Sequence, residues 1–273
     1  MQITTNTIAV VTGAASGIGR ALAVQLAQRG ATVAIADVNE SGLRETAALV
    51  GARCSTHVVD VSNEARVKEF VAEVVAAHGA AQLVINNAGV ALYGTVAQLT
   101  TDEMAWLMGI NFWGVIYGTK YFLPVLQQQR AAHLVNLSSV FGLIGFPGQS
   151  AYNASKFAVR GFTEALRHEL EAENSPVRVS CVHPGGINTN IARSARSAAA
   201  ATLDRTAEIE RFERLAPTSP DQAAARIIRG VLRDEPRILI GSDAWLIDRL
   251  QRWLPVRYWR LFKPIIEWQS GKL

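Results

Sequence analysis

The sequence predicts an α/β protein built on a doubly wound, seven-stranded parallel sheet, and three observations carry that expectation. Seven short apolar runs alternate with helical segments along the 273 residues, the pattern of a sheet covered on both faces. A glycine-rich turn joins the first run directly to a strong helical segment. The second run ends on an acidic residue, Asp37, about 20 positions beyond those glycines.

The strands are expected at Thr7–Thr12, Thr32–Ala36, His57–Val61, Leu83–Asn86, His133–Leu137, Arg178–His183 and Arg237–Ile240, each an apolar run with a helical segment following it. After the first strand, Thr12-Gly13-Ala14-Ala15-Ser16-Gly17-Ile18-Gly19 opens a helix over Arg20–Gln28. Two later helices announce their starts. Thr100-Thr-Asp-Glu103 reads as a capping box, and Ser219-Pro-Asp-Gln222 reads as a second with proline at the first helical position, where its missing N–H is no loss. Residues 190–216, rich in Ala, Arg and Ser, break the pattern between the sixth strand and Ser219. An insertion there lies over the carboxyl ends of the strands, where ligands bind in open α/β sheets, and is expected to form a mobile lid. No Pro/Gly/Ser-rich linker divides the chain, so residues 1–240 are expected to form one domain that includes the lid, with residues 241–273 as a helical extension.

Composition narrows the function classes. With 49% hydrophobic and 18% charged residues the chain is a folded globular protein rather than a disordered one. The net charge of +4 is small and scattered, which argues against nucleic-acid binding. Cys54 and Cys181 lie in apolar runs without the close spacing of a metal site or redox pair, and reduced thiols are expected. The start, MQITTNTIAVVTG, lacks the basic and long apolar segments of a signal peptide. No uninterrupted apolar run approaches the ~20 residues of a membrane-spanning helix, so a cytoplasmic location is expected.

The glycines after the first strand let the backbone turn tightly and approach a pyrophosphate, whose charge the first N–H groups of the following helix can meet. Asp37 is placed to accept hydrogen bonds from a ribose hydroxyl and would repel a 2′-phosphate. Position 38 is Val and the glycine loop carries no cation, so NAD is favoured over NADP, with NADP kept as the alternative.

From about Thr7 to Ile240 the chain resembles the short-chain dehydrogenase/reductase family. The resemblance rests on the glycine motif, Asp60-Val61, Asn86-Asn87-Ala88-Gly89, Asn111, Ser139, Tyr152-x-x-x-Lys156 and Pro184-Gly185-x-Ile187-x-Thr189, all in order and at matching spacing. It implies a Rossmann-type fold, hydride transfer from the B face of a nicotinamide, and catalytic roles for Asn111, Ser139, Tyr152 and Lys156. Ser139 would orient the substrate oxygen, and Asn111 would bend its helix to hold a water linking Lys156 to solvent. The implied cofactor contacts are Gly13, Ser16, Gly17, Ile18, Gly19 and Asp37; Asp60 and Val61 at the adenine; Asn87, Ala88 and Gly89; and Pro184, Gly185, Ile187 and Thr189 toward the nicotinamide and pyrophosphate, with Tyr152 and Lys156 beside them. A homotetramer, or a dimer, built on the helices that carry Asn111 and Tyr152 is implied as well.

The catalytic chemistry can also be read from the residues. Tyr152 and Lys156 are four apart at the start of a long helical run and share one face. A phenol titrates near 10, and a nearby ammonium is expected to lower it toward the operating pH. His183, at a strand end before Pro184, is read as structural, and His57, His78, His133 and His168 are dispersed, so no metal is expected. The substrate wall is expected from Ala91, Tyr93, Val140, Phe141, Ile144, Phe146 and Gly186. With no Arg or Lys among them to meet a carboxylate or phosphate, a small hydrophobic alcohol or ketone is favoured. The extension holds four of the six Trp and a net charge of +3. It is read first as a subunit interface or pocket cover and second as a membrane-surface contact. Two functions compete with an alcohol dehydrogenase or ketone reductase: a lipid- or steroid-type dehydrogenase at a membrane surface, and a non-catalytic nucleotide sensor.

Overall fold

Val10, Val11, Ala34, Ile35, Val84 and Ile85 are all fully buried. Neighbours along a strand point to opposite faces, so both faces of this sheet must be covered. The computed structural model, which describes residues 1–189, 191, 194–198 and 217–269, shows how. The strands are β1 (Ile8–Thr12), β2 (Thr32–Asp37), β3 (Cys54–Val58), β4 (Leu83–Asn86), β5 (Leu92–Tyr93), β6 (Ala132–Leu137), β7 (Val177–Pro184), β8 (Arg196–Ser197) and β9 (Arg237–Ile240). Seven of them form one parallel sheet in the order β3-β2-β1-β4-β6-β7-β9, the doubly wound, Rossmann-type arrangement that the sequence predicts. The order reverses between β1 and β4, which opens a crevice at their carboxyl ends.

On one face, α1 (Gly17–Gln28), α2 (Glu40–Val50) and α7 (Pro220–Leu232) bury Leu22, Leu26, Leu43, Ile227 and Ile228 against Val11, Ile35 and Ile85. On the other, α3 (Glu64–His78), α5 (Gly114–Gln127) and α6 (Ser150–Ala172) bury Phe70, Phe122, Leu126 and Leu166 against Val10, Ala34 and Val84. Both expected capping boxes form, at Thr100 before α4 (Thr101–Met108) and at Ser219 before α7.

The third strand lies three residues earlier than His57–Val61. Its register pairs Val33 with Cys54 and Asp37 with Val58. As an edge strand it is only half covered, so its polar residues Ser55, Thr56 and His57 are tolerated in the ladder. Val59, Asp60 and Val61 follow as a loop at the carboxyl end, where they can face a ligand. Between α4 and α5 the chain makes a π-turn, Gly109–Trp113, centred on Asn111.

Of the expected lid, only Ile191 and residues 194–198 are described, and Arg196–Ser197 pairs with Leu92–Tyr93 in a small second sheet; the rest of 190–216 lies outside the described residues. The extension forms α8 (Ser242–Trp253) and α9 (Tyr258–Gln269). Pro255 falls in the turn between them, while Pro264 sits inside α9 without ending it. The Arg237 guanidinium ties α8 to the domain, reaching Asp248 at 2.9 Å and Glu164 of α6 at 2.6 Å.

Candidate active site

At the end of β1 the backbone turns with Gly13 at φ +66° and Gly17 at φ +55°, conformations that side chains with a Cβ rarely adopt. A Cβ on Gly13 would also sit 2.7 Å from the Ala88 Cα. The Asn87 amide braces this turn from β4, donating to the Thr12 and Gly13 carbonyls at 2.8 and 3.1 Å, while the Thr12 hydroxyl accepts from the Asn87 and Ala88 N–H groups. Asp37 ends β2 with one carboxylate oxygen accepting from the Ala15 N–H and the other from the Asn39 N–H, both at 3.0 Å. Ser16 makes no side-chain cap bond to α1. The result is a backbone-lined cradle at a helix N-terminus with an acidic group on its rim, which suits the pyrophosphate and ribose of a dinucleotide.

The cradle is one end of a cleft of about 560 Å³. Gly13, Ser16, Gly17, Ile18 and Asp37 line that end, and Asp60, Val61, Asn87, Ala88 and Gly89 continue the wall. Pro184, Gly185, Ile187 and Thr189 line it from β7. Gly19 lies beneath the loop rather than in the wall; a Cβ there would come within 2.7 Å of the Asn87 amide nitrogen.

Tyr152, Lys156 and Ser139 meet in the middle of the same cleft. The first turn of α6 brings the tyrosine and lysine onto one face, with the Lys156 Nζ 5.6 Å from the centroid of the Tyr152 ring and donating to the Leu137 carbonyl at 2.9 Å. Burial pushes the phenol up to about 12, with the Ser139 hydroxyl in hydrogen-bonding reach pulling it back down. Burial also pulls the Lys156 ammonium down to about 8. The expected lowering of the phenol by Lys156 is therefore not what these residues produce: burial raises the phenol, and the lysine bonds the strand end instead. Ser138 is turned away, its hydroxyl donating to the Lys156 carbonyl at 2.8 Å. Asn111 is fully buried behind the cleft. Its amide exchanges two hydrogen bonds with Val90 and reaches the Ser155 hydroxyl at 3.3 Å, and a Cβ on Gly89 would stand 3.3 Å from its oxygen and 3.5 Å from the Lys156 ammonium.

The other end of the cleft, where the sequence places the substrate wall, is lined by Ala91, Tyr93, Val140, Phe141, Phe146 and Gly186. Ile144 is a correction: it is buried outside the wall, with its carbonyl accepting from Asn153, because the 3₁₀ turn at Val140–Gly142 rotates it inward. The Phe141 ring stands edge-on to Tyr152 at 6.1 Å and stacks on Phe146 at 5.1 Å. His183, whose imidazole contacts the Ser139 carbonyl at 3.0 Å through Nδ1, is held neutral by burial, its pKa down to about 4, and does not reach the cleft.

Several wall residues were not foreseen. Gln149 immediately precedes α6, three positions before Tyr152, and lines the same cleft. Asp243 and Ile247 come from α8, where no motif signals a site. Asp243 accepts from the Gly186 N–H at 2.7 Å. Farther along, the Tyr258 hydroxyl accepts from the Gly145 N–H at 2.9 Å, and Trp259 stands edge-on to Phe146 at 6.1 Å. The extension thus closes the substrate end of the cleft. With Gln149, Ser194 and Asp243 in it, this wall is more polar than the sequence implied.

A parallel sheet with a dinucleotide cradle and a buried Tyr/Lys pair at its switch point defines a class, the nucleotide-dependent oxidoreductases. The family model for short chain dehydrogenase matches residues 7–200, and the chain belongs to the short-chain dehydrogenase/reductase family. A Mycobacterium tuberculosis protein assigned as the oxidoreductase SadH is 45% identical over 258 residues, 93% of each chain. The human estradiol 17-beta-dehydrogenase 11 is 30% identical over 263 residues, 95% of this chain and 83% of that one. Among solved structures, a family member from Burkholderia phymatum in complex with NAD superposes with a TM-score of 0.87 at 32% identity, covering 93% of this chain and 95% of that one.

Proposed function

We propose that the protein interconverts a hydrophobic secondary alcohol and a ketone, using NAD(H) in preference to NADP(H), with Tyr152 as the acid/base. The observation that carries this is the meeting of Tyr152, Lys156 and Ser139 midway between the glycine cradle and an aromatic wall. A bound nicotinamide dinucleotide would supply or accept the hydride. The glycine loop and the first turn of α1 would hold its pyrophosphate, Asp37 its ribose, Asp60 and Val61 its adenine, and Ile187 its carboxamide. The Ser139 hydroxyl orients the substrate oxygen. Tyr152 donates its phenolic proton to that oxygen in reduction, and in oxidation the Tyr152 phenolate takes the proton from the alcohol hydroxyl. Lys156 and Asn111 form the route by which the phenolate regains a proton from solvent.

A second element of the proposal concerns α8 and α9. Trp245, Leu246, Trp253 and Leu261 are exposed on them and Val256 in the turn between, among Arg249, Arg252, Arg257 and Arg260. That mixture suits a lipid surface and keeps a membrane-associated lipid- or steroid-type substrate in play. No helix among the described residues is long and apolar enough to cross a membrane. Trp113 and Phe157, exposed beside α5 and on α6, support an oligomer built on those helices, a tetramer or a dimer.

The test is oxidation of NADH against a panel of hydrophobic ketones that includes a steroid. Tyr152→Phe should abolish turnover while leaving NADH binding nearly intact, since only the transferable proton is lost. Turnover retained by Tyr152→Phe would sink the acid/base assignment. Cofactor binding without turnover of any ketone by the wild type would favour a nucleotide sensor.

A further inference from the structure

We infer that Gln149 reads a second oxygen on the substrate, so that the cleft is built for an apolar ketone or alcohol carrying a neighbouring hydroxyl. The inference rests on the dehydrogenase function proposed above. Gln149 is 6% exposed and lines the cleft, and its side-chain oxygen is shut off from solvent with no hydrogen-bond partner. Its backbone is held on both sides, by a bridge to Gly94 and by the Asn153 N–H, which donates to the Gln149 carbonyl at 2.8 Å. The side chain is therefore fixed at its root and unsatisfied at its tip.

Asn153, one turn farther along α6, shows what a purely structural amide looks like here. Its nitrogen donates to the Phe141 and Ile144 carbonyls, both at 2.9 Å, its oxygen accepts from the Phe146 N–H at 3.0 Å, and it does not line the cleft. Buried polar groups are nearly always paired in this way. Among the described residues only one other orphaned polar atom belongs to a cleft residue, the second carboxylate oxygen of Asp243, and that atom is wedged between Gly185 and Gly241. The Gln149 amide is different. The terminal torsion of a glutamine is soft, so its oxygen turns toward the cleft at little cost. Gln149 is the residue that precedes α6, three positions before Tyr152, and the two line the same cleft, which sets Gln149 on the catalytic side of the pocket. A hydroxyl near the reacting carbon would donate to this oxygen; a purely hydrocarbon substrate body would leave it unpaired.

The experiment compares matched alcohols that differ by one hydroxyl, such as 1-phenylpropane-1,2-diol against 1-phenylpropan-1-ol, with cyclohexyl and steroid pairs of the same design. The wild type should favour the hydroxylated member of a pair in kcat/KM by about tenfold or more. Gln149→Leu should bring that ratio toward one, and Gln149→Glu, which keeps an acceptor, should preserve it. A structural role for Gln149 would lower both members by the same factor and leave the ratio intact, which would overturn the inference. A wild-type ratio near one would also overturn it while leaving the dehydrogenase proposal standing. If the wild type oxidises no member of any pair, the dehydrogenase proposal itself falls and this inference with it. Should Gln149→Leu fail to fold, the wild-type ratio and Gln149→Glu still decide.

Discussion

The contact between the extension and the loop after β7 can be tested by a double-mutant cycle on Gly185 and Asp243. The Asp243 carboxylate accepts from the Gly186 N–H at 2.7 Å and occupies the space where a Gly185 Cβ would stand. Asp243→Ala removes a hydrogen bond to a charged acceptor and leaves a partly buried N–H unpaired, a loss of about 1.5–3 kcal/mol. Gly185→Ala forces the carboxylate out, so the same bond is lost and overpacking adds ~1–3 kcal/mol. In the double variant the new methyl fills the space the carboxylate has left. The two losses should therefore not add, and the coupling should be roughly 2.5–6 kcal/mol, the bond counted once together with the relieved overpacking. At ~2–4 °C per kcal/mol for a domain near this size, Asp243→Ala should lower Tm by roughly 3–12 °C and Gly185→Ala by roughly 5–24 °C, with the double no lower than the worse single. Thermal melts followed by circular dichroism would read this. Additive effects, within about 0.5 kcal/mol, would show that the two residues do not share this space.

Asp37→Ser should weaken NADH binding about tenfold and raise the ratio of NADP to NAD use by a similar factor, because it removes both a ribose acceptor and an anchor of the glycine loop; an unchanged ratio in initial-rate kinetics would refute the role of the charge. Lys156 has its folded pKa depressed by burial to about 8, below the ordinary lysine value of 10.5, so between these values the unfolded chain binds more protons and stability rises with pH. Urea unfolding of the wild type relative to Lys156→Met should be flat below pH 8 and gain up to about 3 kcal/mol by pH 10.5; a flat difference throughout would show that the ammonium is not desolvated. Trp259→Ala, which removes the ring edge-on to Phe146, should raise the KM for bulky ketones several-fold with the NADH Kd unchanged, and a KM that does not move would exclude α9 from the pocket. Replacing Trp253 with Ser should reduce flotation with anionic vesicles in a salt-sensitive way; binding equal to wild type would count against a lipid-facing surface.

The doubly wound parallel sheet was legible because alternation of apolar runs with helices is a property of local sequence. Strand three was misplaced for a physical reason: at a sheet edge the ladder accepts Ser55, Thr56 and His57, while the more apolar Val59 and Val61 leave the strand to line a pocket. The cofactor end was visible because glycines with no room for a Cβ leave a spacing pattern, as Gly13 and Gly19 do. The substrate end was less so. Ile144 was assigned to the wall on hydrophobicity alone, and hydrophobicity does not distinguish a pocket lining from the core behind it. Gln149 could have been found from its three-residue spacing to Tyr152, whereas Asp243 could not, since its partner Gly186 is 57 residues away and no motif joins them. The direction of the Tyr152 shift was missed because neighbouring charge was weighed without burial.

The strand order also dictates when each part of the site comes into being as the chain emerges. In a sheet whose neighbours are all parallel no strand can be added by a hairpin; each waits for a crossover to be completed. The glycine turn, its Asn87 brace and the Asp37 rim are available once β4 has formed, so the nucleotide half can take shape on a nascent chain of about a third of the final length. Proton transfer must wait for α6, and the far wall for Asp243, Tyr258 and Trp259. A polypeptide stalled before α8 would carry a docking place for the nucleotide without a finished chamber for its reaction partner. Early assembly of the glycine cradle and late closure of the far wall are thus set by the route of the backbone.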